Sequence, residues 1–132
     1  MIYYISDTHF KSQTIFDKCK RPFKSLDELE KVITYNWNNK VNDNDKVYVL
    51  GDIGCSDITS IEIFKKLKGH KHLIIGNHDH EILEEIKKSN IFESINFIDV
   101  IIDKKRKVCI CHYPLLDWME FNREGYLVYG HV

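Results

Sequence analysis

Long apolar runs are missing from this sequence, which nowhere reaches the roughly 18 consecutive apolar residues of a membrane-spanning helix. The first residues, MIYYISDTHF, also lack the basic start, the apolar stretch and the small-residue cleavage site of a secretory signal peptide. From these two absences we expect a cytoplasmic protein that makes no contact with a membrane.

An excess of charge of either sign is also missing, because 19 Lys and Arg residues face 20 Asp and Glu residues, for a net charge of −1. Proteins dedicated to nucleic acids normally carry a clear Lys and Arg excess. Nucleic acid is therefore open as a partner but is not favoured. The 132 residues, 43% of them hydrophobic, suit a single globular domain over residues 1–132.

The cysteines are few and include no C-x-x-C pair. Two of them are separated by one residue in an apolar run, so on a strand their side chains would point to the same face. We interpret all four as small buried hydrophobic residues in a reducing compartment, rather than as disulfides or zinc ligands: Cys19, Cys55, Cys109 and Cys111.

Short apolar runs rich in Ile, Val and Tyr alternate with helical patterns along the chain. The runs predict strands at 2–6, 47–50, 72–75, 95–102, 107–111 and 126–129. Apolar residues at helical spacing predict helices at 26–38, 58–68 and 79–88, and Ser25 with Glu28 forms a capping box before the first. The early β–α–β order predicts parallel strands, and the late strands around the charged turn DKKRK at 103–107 predict an antiparallel part. The fold class is therefore a layered, mixed α/β fold.

Asp, Asn or His residues follow five of the six predicted strands. In open α/β sheets the ligand crevice lies beyond the carboxyl ends of the strands, so these side chains are predicted to converge on one site. A single Asp or His after a strand is ordinary turn chemistry, but the same arrangement at five strand ends is not. In strand order the residues are Asp7 and His9; Asp52; Asn77, His78, Asp79 and His80; His112; and His131.

Carboxylate oxygens and imidazole nitrogens together suit Mn, Fe, Zn, Ni or Co better than Ca or Mg alone. Without cations, Asp7 and Asp52 would repel each other if they were held together. Two divalent ions would reverse the charge of the site, attract an anionic phosphate and hold a bridging hydroxide as a nucleophile at neutral pH.

These motifs resemble the signature of the calcineurin-like metallophosphoesterases. The matching stretches follow the family's order: DTH at 7–9, GD at 51–52, GNHD at 76–79, CHYP at 111–114 and GHV at 130–132. RPF at 21–23, NWN at 36–38 and DKVYVLGDIG at 45–54 further resemble small, stand-alone phosphoesterases of bacteria and phages. The resemblance implies a four-layer sandwich, in which two mixed β-sheets pack face to face and are flanked by helices.

The resemblance also implies a role for each matched residue. Asp7 and His9 would bind a first metal ion, and Asp52 would bridge it to a second ion that Asn77, His112 and His131 complete. His78 would be the general acid that protonates the leaving oxygen, and Asp79 would orient the loop or hold His78. Two divalent transition-metal ions, with Mn favoured, would then hydrolyse a small phosphomonoester or phosphodiester, such as a nucleotide or a phosphoprotein.

One departure from the family pattern concerns the last residues. The family motif G-H-x-H has a second histidine, which would follow Val132 directly and would close the first metal site. The resemblance therefore implies that the C-terminal part of the domain is missing from this sequence, and that the first ion is held more weakly without it.

Several alternatives stay open at this point. Arg21, on a loop near the first motif, is either a substrate-binding clamp for phosphate or a surface arginine. Tyr113 and Trp118 either wall the pocket or pack elsewhere. The protein as a whole is alternatively a nuclease acting on DNA or RNA, or an interaction module of the same fold with weakened catalysis.

Overall fold

The computed structural model describes residues 1–54 and 58–132. Its strands are β1 (Ile2–Ile5), β2 (Lys46–Val49), β3 (His70–Ile74), β4 (Ser94–Asn96), β5 (Ile98–Asp103), β6 (Arg106–Cys111) and β7 (Tyr126–Val128). Its helices are α1 (Gln13–Lys18), α2 (Leu26–Lys40), α3 (Thr59–Lys65) and α4 (Leu83–Ser89), with 3-10 turns at His80–Ile82 and Phe121–Arg123. Within the described ranges, none of the helices has both the length and the apolar character needed to cross a membrane.

Two β-sheets form the centre of the molecule, and the predicted α/β architecture of two sheets flanked by helices is confirmed. The first sheet has the order β1-β2-β3-β4 and is parallel at each described pairing, so it is not mixed as the resemblance implied. The second sheet has the order β5-β6-β7 and is mixed, because β5 and β6 are antiparallel whereas β6 and β7 are parallel.

The predicted strand 95–102 is wrong in one respect, because it is divided between the two sheets. Its first part, β4, pairs with β3, and its second part, β5, pairs with β6. Phe97 lies between the two parts and is 58% exposed. A continuous apolar run predicts a strand, but it contains no signal for the sheet to which each part belongs.

Local signals explain where the longest helix begins and where the hairpin turns. The backbone N–H of Glu28 donates to Ser25 Oγ over 3.2 Å, so Ser25 is the N-cap, as predicted. The Glu28 carboxylate accepts from the backbone N–H of Lys24, whereas a capping box would have it accept from that of Ser25. The charged turn is also confirmed as a hairpin, since Asp103 pairs with Arg106 and the two lysines between them have left-handed φ values.

Two hydrophobic clusters hold the layers together. One lies between the helices and the first sheet and includes Phe10, Leu29, Phe64 and Ile86. The other lies between the two sheets, where Tyr48, Leu50 and Ile74 of the first sheet meet Val108 and Ile110 of the second. Each described α-helix contributes to the first cluster, so the helical layer covers the outer face of the first sheet.

The interpretation of the cysteines is confirmed for two of them. Cys109 and Cys111 are buried in β6 with free thiols. For Cys19 it is wrong, because this residue caps the C-terminal end of α1, where the chain turns at the surface, and its side chain is exposed. Cys55 lies outside the described residues.

The aromatic contacts of Phe64 lead to a prediction about stability. Its side chain is fully buried, and its ring lies 5.4 Å from the ring of Phe10 and 5.4 Å from that of Phe92, centroid to centroid. We expect Phe64→Ala to lower the free energy of unfolding by about 3–5 kcal/mol, because it removes a large side chain and leaves a cavity. Urea unfolding measures this, and Tyr35→Ala, which truncates a 69% exposed ring of α2, is the control that should change little. Equal losses in both variants would contradict the assignment of Phe64 to the core.

Candidate metal centre

The carboxyl ends of β1, β2, β3, β6 and β7 bring the predicted site residues to one edge of the sandwich. Asp7, His9 and Asp52 form one group whose ligand atoms all lie within 4.8 Å of one another. Asp52, His112 and His131 form a second such group. The two groups share Asp52, so the geometry joins them into a single cluster.

The carboxylate of Asp52 lies between the two groups. Its Oδ2 atom is 3.7 Å from His9 Nε2 and 3.4 Å from His112 Nε2. Its Oδ1 atom accepts a hydrogen bond of 2.9 Å from the backbone N–H of His78. Ligands of one transition-metal ion sit at about 2.0–2.2 Å from it, so donor atoms about 3–4 Å apart have the right separation to share an ion.

Asn77 joins the second group through its side-chain oxygen. This Oδ1 atom is 3.0 Å from His112 Nε2 and 3.0 Å from His131 Nδ1. The amide oxygen therefore faces the same space as both imidazoles. Sequence reasoning from the strand ends thus placed Asn77 correctly beside these histidines.

Asp7 contacts residues of both groups. Its Oδ2 atom accepts hydrogen bonds from Ser6 Oγ and, over 3.0 Å, from the backbone N–H of His131. Its Oδ1 atom lies 3.7 Å from His9 Nε2. Ser6 was not predicted, because a serine at a strand end carries no signal that separates it from an ordinary surface residue.

Hydrogen bonding fixes the ring of His112, which is fully buried. Its Nδ1 atom lies 2.6 Å from the carbonyl oxygen of Leu50, and since a carbonyl only accepts, Nδ1 carries the proton and donates. The Nε2 atom faces the Asp52 carboxylate and the Asn77 amide oxygen, and it would bind a cation once it gives up its proton. A backbone acceptor behind the ring is the usual way in which a metal-binding histidine is oriented.

The electrostatics of the cluster follow from this geometry. Burial raises the pKa of Asp7, but hydrogen bonds from His9, Ser6 and the backbone of His131 outweigh it and lower the pKa to about 2. Burial likewise lowers the pKa of His112, and the bonds to Asp52 and to the Leu50 carbonyl outweigh it and raise the pKa. The carboxylates are therefore ionised at neutral pH, as cation binding requires.

Asp79 organises the loops beneath the cluster. Its carboxylate is fully buried and accepts from three backbone N–H groups, those of Gly76 at 2.7 Å, Asp52 at 2.9 Å and Ile53 at 3.0 Å. Burial raises the pKa of Asp79, and these three donors oppose that effect. Of the two roles left open by the sequence, the observed hydrogen bonds support the orientation of the loops.

The backbone at the cluster adopts strained conformations that the sequence does not reveal. Asp7, His9, Asp52 and His131 have φ values of 55°, 46°, 52° and 72°, in the left-handed region that non-glycine residues rarely enter. Such strain persists only where the surroundings enforce it, and it concentrates at functional sites. Gly51, with a φ of 83°, lets the loops meet, since a Cβ there would lie 2.5 Å from the backbone nitrogen of Gly76 and 2.8 Å from His112 Nδ1.

The remaining predicted residues lie around this cluster at different distances. The His78 ring is exposed and lies edge-on to the His9 ring, with centroids 5.5 Å apart. The guanidinium of Arg21 donates through Nη2 to the carbonyl oxygen of Asp7 over 2.7 Å, so Arg21 lies beside the first group. His80 turns away from the cluster and packs against Phe97.

The two aromatic residues that follow His112 have different positions. The Tyr113 ring lies 5.0 Å from the His112 ring and 4.9 Å from the His131 ring, and it is 38% exposed, so it borders the second group. Trp118 instead packs on Phe121 and donates to the carbonyl of Gly125, within its own loop. Only Tyr113 of this pair walls the site.

The donor set fits divalent transition-metal ions. Each group offers three oxygen or nitrogen atoms at the separations that one ion requires, and Nε2 of the fully buried His112 faces both Asp52 and Asn77. Carboxylate, amide and imidazole ligands of this kind suit Mn, Fe, Zn, Ni or Co.

Similarity to known proteins extends along the whole chain. The sequence profile of a family described as "Calcineurin-like phosphoesterase" matches residues 1–132. The "Uncharacterized protein MJ1445" of Methanocaldococcus jannaschii is 35% identical over 133 residues, which cover 98% of this chain and 68% of that protein. The crystal structure of the "Protein of Unknown Function AQ665" from Aquifex aeolicus is similar with a TM-score of 0.80 and 30% identity, over 100% of this chain and 78% of that one.

The position of Asp79 leads to a prediction about metal affinity. We expect Asp79→Asn to weaken Mn²⁺ binding by about 10–100-fold, because an amide cannot accept all three N–H groups and the loop that carries Asp52 loses its anchor. Isothermal titration calorimetry measures the affinity, and Asp43→Asn, which changes an exposed carboxylate, is the control. A folded Asp79→Asn protein that binds Mn²⁺ as tightly as the unchanged chain would contradict the anchoring role.

Proposed function

The chain belongs to the calcineurin-like phosphoesterases, a family of metal-dependent phosphoesterases, and from this premise we propose that it hydrolyses a small phosphomonoester or phosphodiester at a centre of two divalent metal ions. The observation that carries the proposal is that two groups of ligand atoms share one carboxylate, Asp52. When bound, two such ions would lower the pKa of a water molecule and stabilise negative charge on the phosphoryl oxygens.

The two groups of donor atoms support one division of the ligands between the two ions. Asp7 and His9 would hold the first ion, and Asn77, His112 and His131 would hold the second. Asp52 would bridge them, since its Oδ2 atom faces His9 on one side and His112 on the other. Mn²⁺ is the favoured ion, because its preference for oxygen ligands suits the two carboxylates and the amide, while it also accepts imidazole.

His78 is the general acid in this proposal. Its backbone N–H is tied to Asp52, which fixes its main chain beside the bridging carboxylate, while its ring remains exposed next to His9. The ring therefore has access both to a substrate and to solvent. It would protonate the leaving oxygen as the phosphorus–oxygen bond breaks, and so avoid the release of an alkoxide.

Arg21 and Asn77 bind the substrate in this proposal. The guanidinium of Arg21 carries five N–H donors, and its bond to the Asp7 carbonyl fixes it at the edge of the first group while other donors stay available. A planar guanidinium matches two phosphate oxygens at once. The Asn77 amide would add a neutral donor, its NH₂ group, next to the second group.

A panel of substrates tests the proposed activity directly. With Mn²⁺ or Ni²⁺ added, we expect hydrolysis of p-nitrophenyl phosphate, bis-p-nitrophenyl phosphate or a cyclic nucleotide. Absorbance of released p-nitrophenol measures the first two reactions, and chromatography measures the third. Preferred cleavage of single-stranded DNA would instead support a nuclease. Absence of hydrolysis of each of these substrates would overturn the proposal and would favour an interaction module.

Metal content tests the bridging role of Asp52. We expect Asp52→Asn to lose both ions, because the amide that replaces the shared carboxylate removes a negative charge from both groups at once. Elemental analysis after dialysis measures the number of ions per chain. The control is Asp117→Asn, which removes an exposed carboxylate elsewhere. If Asp52→Asn keeps both ions, the residue does not bridge them.

The role of His78 can be separated from metal binding. We expect His78→Asn to retain its metal and to lose about 10²–10⁴-fold in kcat, with the larger loss for esters whose leaving groups are poor, because those depend most on a proton donor. A series of substituted phenyl phosphates measures this dependence. His80→Asn is the matched control, since His80 is also exposed but packs on Phe97. Equal losses for good and poor leaving groups would rule out an acid role for His78.

A further inference from the structure

Arg21, which touches the proposed site, lies in a stretch of the chain that is rich in cationic side chains. Residues 11–24 hold five cationic side chains and one carboxylate, whereas the whole chain holds 19 Lys and Arg against 20 Asp and Glu. Lys18, Lys20 and Lys24 are exposed, and the ion pairs found within residues 1–54 and 58–132 include none of these three. The carboxylate of this stretch, Asp17, is engaged by the Gln13 side chain over 2.9 Å.

The segment Lys18–Lys24 is held rigidly against the site; we refer to it as the basic turn. Arg21 within it donates to the Asp7 carbonyl over 2.7 Å. The backbone N–H of Arg21 donates to Phe16 over 3.2 Å, that of Phe23 donates to Arg21 over 2.8 Å, and both phenylalanines pack against the helix-side core. These contacts hold the backbone of the basic turn in place, so a ligand would have to order only its lysine side chains, which limits the entropic cost of binding.

Neighbouring acids do not neutralise the basic turn. Asp17, directly before Lys18, accepts from Gln13, and the carboxylate of Glu28 at the start of α2 accepts from the backbone N–H of Lys24, not from an ammonium group. Lys20 also has a left-handed φ of 47°, a conformation that non-glycine residues rarely adopt. Four like charges on one short segment repel one another, and an anion with several charges would remove that repulsion.

We propose that the basic turn is a second phosphate-binding subsite, which holds a phosphate group of the substrate other than the one that is hydrolysed. The inference rests on the proposed function and deepens it, because it names the substrate class as a phosphoester with two or more phosphate groups. Arg21 connects the two places, since it belongs to the basic turn and touches the backbone of Asp7. A nucleoside polyphosphate and a short oligonucleotide both present this chemistry.

Binding, measured without turnover, tests the subsite. Fluorescence anisotropy or calorimetry compares adenosine 5′-tetraphosphate, an oligothymidylate of about eight nucleotides and AMP, at about 50 mM salt. The variant is the triple substitution Lys18→Ala, Lys20→Ala, Lys24→Ala. The matched control is Lys66→Ala, Lys68→Ala, Lys88→Ala, which removes three exposed lysines from the ends of helices that lead back to the start of the strands.

We expect the basic-turn variant to bind the polyphosphate ligands about tenfold more weakly or worse, while AMP binding stays the same and the control changes little. For the oligonucleotide, the slope of log K against log salt should fall by about 2, because each lost phosphate contact removes about 0.7 from it. A loss confined to the tetraphosphate identifies a nucleoside polyphosphate as the ligand, and a loss confined to the oligothymidylate identifies a nucleic acid strand.

Three results would overturn the inference: an unchanged affinity in the basic-turn variant, an equal loss in the control, or no preference of the unchanged chain for the polyphosphates over AMP. These results differ from failure of the proposed function. A chain that binds the polyphosphates through the basic turn but hydrolyses no phosphoester keeps the subsite and loses the catalytic proposal. A chain that hydrolyses p-nitrophenyl phosphate, but whose affinity for polyphosphates is unchanged by the lysine substitutions, keeps the catalytic proposal and loses the subsite.

Discussion

The arrangement of the site depends on one buried carboxylate that lies outside both groups of candidate metal ligands. Asp79 accepts three backbone N–H groups from the loops after β2 and β3, and so joins the segment that carries Asp52 to the segment that carries Asn77. The bond from the His78 N–H to Asp52 closes the connection from the other side. A buried acceptor makes strong hydrogen bonds in a low dielectric, so these three bonds hold the loops in place.

This anchoring explains why the ligand-bearing backbone tolerates strain. Left-handed φ values at Asp7, His9 and Asp52 are unfavourable, and they persist because the core beneath them and the hydrogen bonds around them leave no alternative. Packing in the two hydrophobic clusters thus keeps the donor atoms in a fixed arrangement. Such preorganisation lets binding energy go to the ions and the substrate rather than to the ordering of loops.

Sequence reasoning predicted that several polar residues converge, and the structure brings them together, whereas some parts of the fold were not foreseen. The rule that polar residues at the ends of parallel strands converge was sufficient to collect Asp7, Asp52 and His112, which are far apart in the chain. It could not show that the apolar run 95–102 changes sheets at Phe97, because hydrophobicity reports burial and not the partner strand. The exposure of Cys19 and the part played by Ser6 were equally hidden, since both depend on tertiary position.

The central claim is that two metal ions share Asp52. The most direct measurement is low-temperature electron paramagnetic resonance of the protein loaded with two equivalents of Mn²⁺. Two ions bridged by one carboxylate, roughly 3.5–4 Å apart, would couple magnetically and give an exchange-coupled spectrum. A spectrum of isolated Mn²⁺ at that loading, with no coupled component, would show that the two groups of ligands do not act as one centre and would contradict the account.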